Sequence, residues 1–532
     1  MLVCLIFKDL LLERAVGMSE VCVELVGKLV GEMLGLSKEE LSPSDNLISL
    51  GLGSLDIMRI AGLLTKNGCN VTFSELVSNP CMASWVNFAR ERSARSSSNG
   101  SPLLGSANYS KGDPFPITSV QHAYMVGRRD GQELGGTACH AYMEFECGSL
   151  DAAKLERAVE LLILRHPMLR ARFSDDGTAR IEDKVTWKGL TTYRVEGAGN
   201  PDSRIEGIRQ ELSHLRFDIE QDDLIDVRLT VVSPKRTIMH INVDLLAADV
   251  LSIQVLLEDL AHLYDGTDLA PIEIDFMEYA RRTGIGEDAR NEDREYWLNR
   301  IDNMPGGPSL PLKAPMESVK RSQFTRMEYL IDSKSWKNFT EKGRQIGVTQ
   351  SMGIAAVYAK ALSRWSEDKK FLLNLPLFNR KPIHPDVDKI VSDFTSLILL
   401  EADCANAISL LELASQMQGR FQQDVAHSSF GAVEVLRELS HRCPNDPKKA
   451  PVVFASNIGT QFISNKVEDV FGPLSKMLAE TPQVLLDHQI YDHKNGLLLA
   501  WDYVSELLDD KIAKQMFEAY CTAVRFYCEN DW

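Results

Sequence analysis

The chain has 532 residues, 44% hydrophobic and 25% charged, with 58 Lys and Arg against 75 Asp and Glu and a formal net charge of −17. This composition belongs to a soluble globular protein. It excludes collagen-like, disordered and membrane-embedded classes for the bulk of the chain, and the length suits roughly three to four domain-sized units. The acidic balance argues against nucleic acid as the main ligand, because phosphate binding wants a basic surface.

Met1 to Leu12 is apolar but interrupted by Lys8 and Asp9, which reads as the start of a helix rather than a signal peptide. No uninterrupted apolar run approaches the ~20 residues of a membrane span. The ten cysteines are scattered without a Cys-x-x-Cys pair, which points to mostly reduced thiols and a cytoplasmic location. No His/Cys cluster has metal-ligand spacing, and no Gly-rich phosphate loop is present.

In chain order, Val23, Val26, Leu29, Val30 and Leu34 are spaced as one face of a helix. A second helix begins near Leu55 and a third spans about Met82 to Ala89, so the first ~90 residues predict a compact helical bundle. Residues 93–114, rich in Ser, Gly and Asn, predict a flexible linker. Beyond it the periods alternate. Helices are expected around Val159–Ile163, over Leu251–Leu263 and over Met352–Trp365. Strands are expected at Ile238–Val243, Phe371–Leu377, Val452–Ala455 and Leu497–Trp501. This mixture predicts an α/β unit in two lobes, joined near the Pro-rich stretch at residues 300–330.

Two places carry chemistry. Gly51 and Gly53 permit tight turns just before Ser54, which stands at a helix start with apolar residues behind it. Ser54 is either an ordinary N-cap or the bearer of a phosphate-linked group, since a helix N-terminus favours a negative phosphodiester. Leu55 and Met58 suit either the core or a partner-facing surface. In the second place, Asp244 and Asp249 fall in the largely apolar run between a strand and a helix. Buried carboxylates are costly unless paired or wet. Asp249 therefore caps the following helix and Asp244 pairs with an Arg, or one or both lie on the floor of a channel.

Residues 20–92 resemble a carrier domain of a nonribosomal peptide synthetase. The family's Leu-Gly-x-(Asp/His)-Ser-Leu motif falls on Leu50-Gly51-Leu52-Gly53-Ser54-Leu55, with Gly53 departing from the usual Asp or His. The resemblance implies 4'-phosphopantetheine carried covalently on Ser54. The partners it implies are a phosphopantetheinyl transferase, an adenylation enzyme that loads the carrier, and downstream adenylation and peptidyl carrier domains bearing Cys, Ser or Thr.

Residues 115–532 resemble the heterocyclization branch of the condensation domains. Its Asp-x-x-x-x-Asp-x-x-Ser motif matches Asp244, Asp249 and Ser252. Further motifs follow in order. They include Phe115 to Arg128, Cys139 to Phe145, Arg165 to Arg170, Leu375 to Arg380 with Asn379, Asp393 to Leu397 and Pro482 to Gln489. The implied fold is a small four-helix carrier bundle followed by a chloramphenicol-acetyltransferase-like pair of lobes forming a V around a tunnel. The N-lobe covers 115–315 and the C-lobe 316–532, with 1–19 as an N-terminal extension.

The implied reaction condenses a carrier-tethered acyl or aryl thioester with carrier-bound Cys, Ser or Thr, then cyclodehydrates the product to a thiazoline or oxazoline, as in siderophore assembly. Asp487 is the implied catalytic carboxylate, with His488 and Gln489 positioning it or a water. Asp244, Asp249, Ser252, Asn379 and Asp393 are structural or tunnel residues. The family's catalytic Thr position is Ala455, which leaves Ser456 as a partial substitute. Three alternatives remain: amide formation without ring closure, an impaired docking module, and an acetyltransferase-like enzyme using coenzyme A through His240-x-x-x-Asp244.

Overall fold

The computed structural model describes residues 23–37, 40–67, 69, 71, 73–93, 112–196, 200–284, 287–378, 380–443 and 448–532. The N-terminal extension, nearly all of the Ser/Gly-rich linker and Asn379 lie outside the described residues.

The small unit is helical. A helix over 23–34 is followed by Leu47–Leu50, Ser54–Lys66, Phe73–Ser78 and Met82–Ser93. Val26, Val30, Leu47, Ile57, Ile60, Leu64 and Trp85 close its core, and the Trp85 indole donates to the Leu76 carbonyl at 2.8 Å. Gly51 ends the short helix at φ 123°, a conformation that only Gly adopts without strain. Gly53 takes the cap position in extended conformation, with its N–H donated to Asp56 Oδ2 at 2.9 Å. Ser54 is thus the first helical residue rather than the cap. Seven described cysteines are free thiols, whereas Cys69 is disulfide-bonded.

The large unit is built on two main sheets. In the first half, Thr191–Arg194, Ile225–Ser233, Arg236–Asp244 and His140–Cys147 lie side by side, and Leu474–Glu480 completes the five strands. That last strand comes from the far end of the sequence and pairs with His140–Cys147, with Met477 opposite Met143. A division of the lobes at 315/316 leaves this crossing out, because strand pairing is decided by long-range register and not by local pattern. Helices Ala152–Arg165 and Val250–Asp265 pack on this sheet through Leu155, Val159, Leu162, Ile253, Leu256 and Leu260. Residues 304–315 form no helix or extended sheet strand and bind into the second half, where the Lys313 N–H donates to the Leu507 carbonyl at 2.8 Å.

The second sheet runs Thr395–Asp403, Lys370–Phe378, Val452–Gln461, Leu486–His493, Gly496–Val504 and Phe324–Asp332. The strand Val452–Gln461 pairs in parallel with both neighbours, and the other pairings are antiparallel. Helix Gln350–Leu362 buries ten of its thirteen residues against this sheet, which explains its nearly all-apolar sequence. Leu410–Val425 and Asp510–Glu529 pack beside it through Leu413, Met417, Met516 and Tyr520.

Candidate functional site in the tunnel between the sheets

A cavity of about 530 Å³ runs between the two halves, walled by alternate residues of the second sheet and by the N-terminal end of helix Val250–Asp265. Side chains on a strand alternate between faces. From Leu486–His493 the cavity receives Asp487, Gln489 and Tyr491, and from Val452–Gln461 it receives Val453, Ala455 and Asn457. The opposite parity faces away.

Ser456 is therefore not a substitute for the missing hydroxyl. It points to the other side of the sheet, where its Oγ lies 2.8 Å from Ser351 Oγ. His488 is also out of the tunnel. Its Nδ1 lies 2.9 Å from the Ala500 carbonyl and its Nε2 2.7 Å from the Tyr520 hydroxyl, amid Tyr358, Phe454 and Trp501. Burial brings its pKa down to about 3 and keeps the ring neutral, so it holds the sheet's back face and not the Asp487 carboxylate. The side chain at 455 does face the tunnel, but it is a methyl group.

Asp487 is 6% exposed. Gln489 donates from Nε2 to its Oδ2 at 2.7 Å, and Oδ1 has no hydrogen-bond partner among the described residues. Gln489 is held in turn through its Oε1, which accepts from the Tyr491 hydroxyl at 2.6 Å and from Arg326 Nη2 at 2.8 Å. Arg326 itself grips Asp502 through two N–H groups, at 2.7 and 2.5 Å. Asp502 lies directly opposite Asp487 in the sheet. Burial, and then the neighbouring Asp502 carboxylate, push the Asp487 carboxyl up to about 7. A carboxyl poised there gives and takes protons with nearly equal ease at neutral pH. Arg326, Asp502 and Tyr491 were not legible as site residues, because they meet Asp487 only through strand register.

The first-half aspartates are of another kind. Asp244 receives Arg128 through two N–H groups, at 3.0 and 2.6 Å, together with the Leu246 N–H at 3.0 Å. Asp249 caps its helix by accepting the Ser252 N–H at 2.7 Å, and also accepts Arg380 Nη2 at 2.8 Å. Ser252 donates its hydroxyl to the Ser392 carbonyl at 2.7 Å and accepts the Ser392 N–H at 3.1 Å. This motif therefore stitches the first half to the segment ahead of Asp393. Asp249 and Asp393 both line the cavity, and Asp393 accepts the Thr395 N–H at 3.0 Å. At the cavity wall Gln483 adopts φ 64°, an uncommon conformation for a residue other than Gly.

His240 does not serve as an acetyltransferase base. It lies 2.8 Å from the Tyr142 hydroxyl and 2.9 Å from the Thr230 hydroxyl inside the first sheet, and burial lowers it to about 4. Among the described residues no group of three or more His, Cys, Asp or Glu could hold a metal, and no helix is long and apolar enough to cross a membrane.

The helix that begins at Ser54 reaches this site. Asp56 and Arg59 share a recess of about 140 Å³ with Leu251, Arg380 and Asn457, and Phe378 and Asn457 line both the recess and the tunnel. Ser54 is the first residue of that helix, whose free N–H groups suit a phosphodiester.

Known proteins share this arrangement. The condensation-domain family matches residues 115–528 and the phosphopantetheine attachment site matches 24–89. The chain is 35% identical over 506 residues to phenyloxazoline synthase MbtB of Mycobacterium tuberculosis, covering 93% of this chain and 35% of that protein. It is 34% identical over 515 residues to pyochelin synthetase PchE of Pseudomonas aeruginosa, covering 96% of this chain and 35% of that one. The chain thus spans about a third of the length of these curated relatives. Among solved structures, the EpoB cyclization-docking bidomain of a nonribosomal peptide synthetase from Sorangium cellulosum superposes with a TM-score of 0.75 at 29% identity, over 85% of this chain and 92% of that one. A two-sheet fold around a tunnel, a helical unit whose second long helix starts at Ser54, and these matches agree: the chain is a nonribosomal peptide synthetase segment in which a phosphopantetheine carrier domain precedes a member of the condensation-domain family.

Proposed function

We propose that this chain condenses a carrier-tethered acyl or aryl thioester with a carrier-bound Cys, Ser or Thr and then closes the new amide to a thiazoline or oxazoline. The observation that carries this reading is the Asp487 carboxyl. It is buried on the tunnel wall with one oxygen bound by Gln489 and the other without a partner among the described residues. The name of one relative, a phenyloxazoline synthase, supports the same ring chemistry and favours an aryl donor.

Ser54 is the residue that would bear 4'-phosphopantetheine, which when bound supplies a long flexible arm holding the acyl group as a thioester. The transferase that installs the arm and the adenylation domain that loads it are implied partners. The acceptor is delivered by a further carrier domain. Amide formation from a thioester and an amine asks mainly for orientation, which the narrow tunnel supplies. Ring closure starts from an amide, a poor electrophile, and must expel water from a tetrahedral carbon. That second stage needs a positioned acid and base. Gln489, anchored by Arg326 and Tyr491, fixes the Asp487 carboxyl with its free oxygen available to substrate.

A second reading, amide formation without ring closure, is favoured by one observation. The tunnel wall at 455 offers a methyl group where the family carries a Thr hydroxyl. One experiment separates the two. The full chain is pantetheinylated, loaded with a salicyl group and presented with a cysteinyl or seryl carrier, and the released products are weighed. The account expects the amide minus one water. Amide alone, with each acceptor, would establish the second reading. Ser54→Ala should abolish the mass gain from the arm; an unchanged gain mapped to another Ser would remove Ser54 from the account.

A further inference from the structure

Four carboxylates line the cavity: Glu133, which is paired with Lys449, and the three aspartates Asp249, Asp393 and Asp487. Asp393 lies on the segment stitched to the first half, 1% exposed, with Oδ1 accepting the Thr395 N–H at 3.0 Å and Oδ2 without a partner among the described residues. Asp249 beside it has its Oδ1 committed to Ser252 and Arg380, and its Oδ2 also has no partner among the described residues. An unsatisfied buried carboxylate oxygen is costly. Among the described residues Asp393 lacks an arginine partner such as Arg380 provides for Asp249. Three further titratable groups face it: Asp249 itself, the Tyr124 phenol and the Cys139 thiol, both of which feel its charge. None of the three is a cation.

Resting on the cyclodehydration proposed above, we propose that Asp393 is its second catalytic carboxyl, the acid that protonates the departing hydroxyl while Asp487 takes the ring N–H proton. The tetrahedral adduct carries one hydroxyl, one N–H and the ring sulfur or oxygen on a single carbon. The Asp393 carboxyl gives its proton to the hydroxyl, the C–O bond breaks and water leaves. The nitrogen lone pair forms the C=N bond, and the N–H proton passes to the Asp487 carboxylate. One proton is given and one taken, and solvent returns both groups to their starting states. Burial, with the nearby Asp249 charge, pushes Asp393 up to about 7, so a protonated fraction is present at neutral pH. The two-carboxyl arrangement also accounts for a tunnel that lacks a hydroxyl at 455.

The test uses the full chain and a synthetic N-salicyl-cysteinyl pantetheine thioester supplied in solution, with loss of one water followed against pH. The parent is expected to show a rate that falls above neutrality. Asp393→Asn keeps the acceptor for the Thr395 N–H and should slow ring closure about 100- to 10,000-fold, abolish the alkaline fall and leave amide formation from loaded carriers in place. Asp487→Asn should remove the acidic limb instead. Asp393→Asn cyclising at the parent rate, or slowed with its alkaline fall intact, would overturn the proposal. If the variant does not fold, the parent profile decides, since a rate still climbing well above neutrality excludes an acid of this kind. A parent that forms amide but no ring at any pH overturns the proposed function itself.

Discussion

The aspartates of the first half and those of the second half sit at similar depth and differ in their company. Asp244 is locked to Arg128, and Asp249 to Arg380 and the start of a helix. Among the described residues Asp487 and Asp393 have no arginine of their own, and both are pushed up to about 7. A buried carboxylate with a bidentate guanidinium is a structural strut, whereas one left against neutral donors is ready to exchange protons. The Asp-x-x-x-x-Asp-x-x-Ser motif is therefore a clamp between the halves. On the proposed function, the chemistry belongs to the carboxyls that the fold leaves uncompensated.

The largest effect should come from breaking the strut. Asp244→Ala leaves Arg128, 5% exposed at its side chain, buried without its partner. The variant should lose about 3–5 kcal/mol of stability in chemical denaturation and lose both amide and ring formation together. Replacing Asp244 and Arg128 together by apolar residues should recover most of that loss. A stable, fully active single variant would show the pair to be dispensable.

The pH dependence of stability sharpens the contrast. Asp487 has a folded-state pKa above its ordinary value, so the folded form is favoured while the group is protonated. That advantage disappears as pH rises from the ordinary carboxyl range through about 7. Asp487→Asn should consequently be more stable than the parent above neutrality, on the order of 1–3 kcal/mol, with the difference closing near pH 4. Thermal melts of the two proteins across that range check it; a constant difference would remove the raised carboxyl from the account. A smaller effect is expected at Ala455, which lies beside Gln489 in the register. Ala455→Thr adds one hydroxyl to the wall and should raise the ring-to-linear product ratio about fivefold, the worth of one hydrogen bond near 1 kcal/mol. A lowered ratio would mean that the wall is built for a methyl group.

Much of this was readable in advance, for reasons that differ by residue. The strands around Ile238, Phe371, Val452 and Leu497 announce themselves by β-branched and apolar runs, and helix Gln350–Leu362 by an unbroken apolar stretch. Asp487 and Ser54 are singled out through motifs. The assignments to Ser456 and His488 failed on strand parity: each neighbours a tunnel residue and so faces the opposite side. Arg326 and Asp502 are 176 positions apart and met only in the folded sheet. The exchange of Leu474–Glu480 into the first sheet leaves no local signature either.

The central claim is that Asp487 serves ring closure and not amide formation. It is tested most directly by the products of Asp487→Asn with loaded donor and cysteinyl acceptor carriers. The account predicts that the linear amide accumulates at close to the parent rate, while the dehydrated ring product falls about 100- to 10,000-fold. Ring product at the parent rate, or loss of the amide along with the ring in a correctly folded variant, would contradict it.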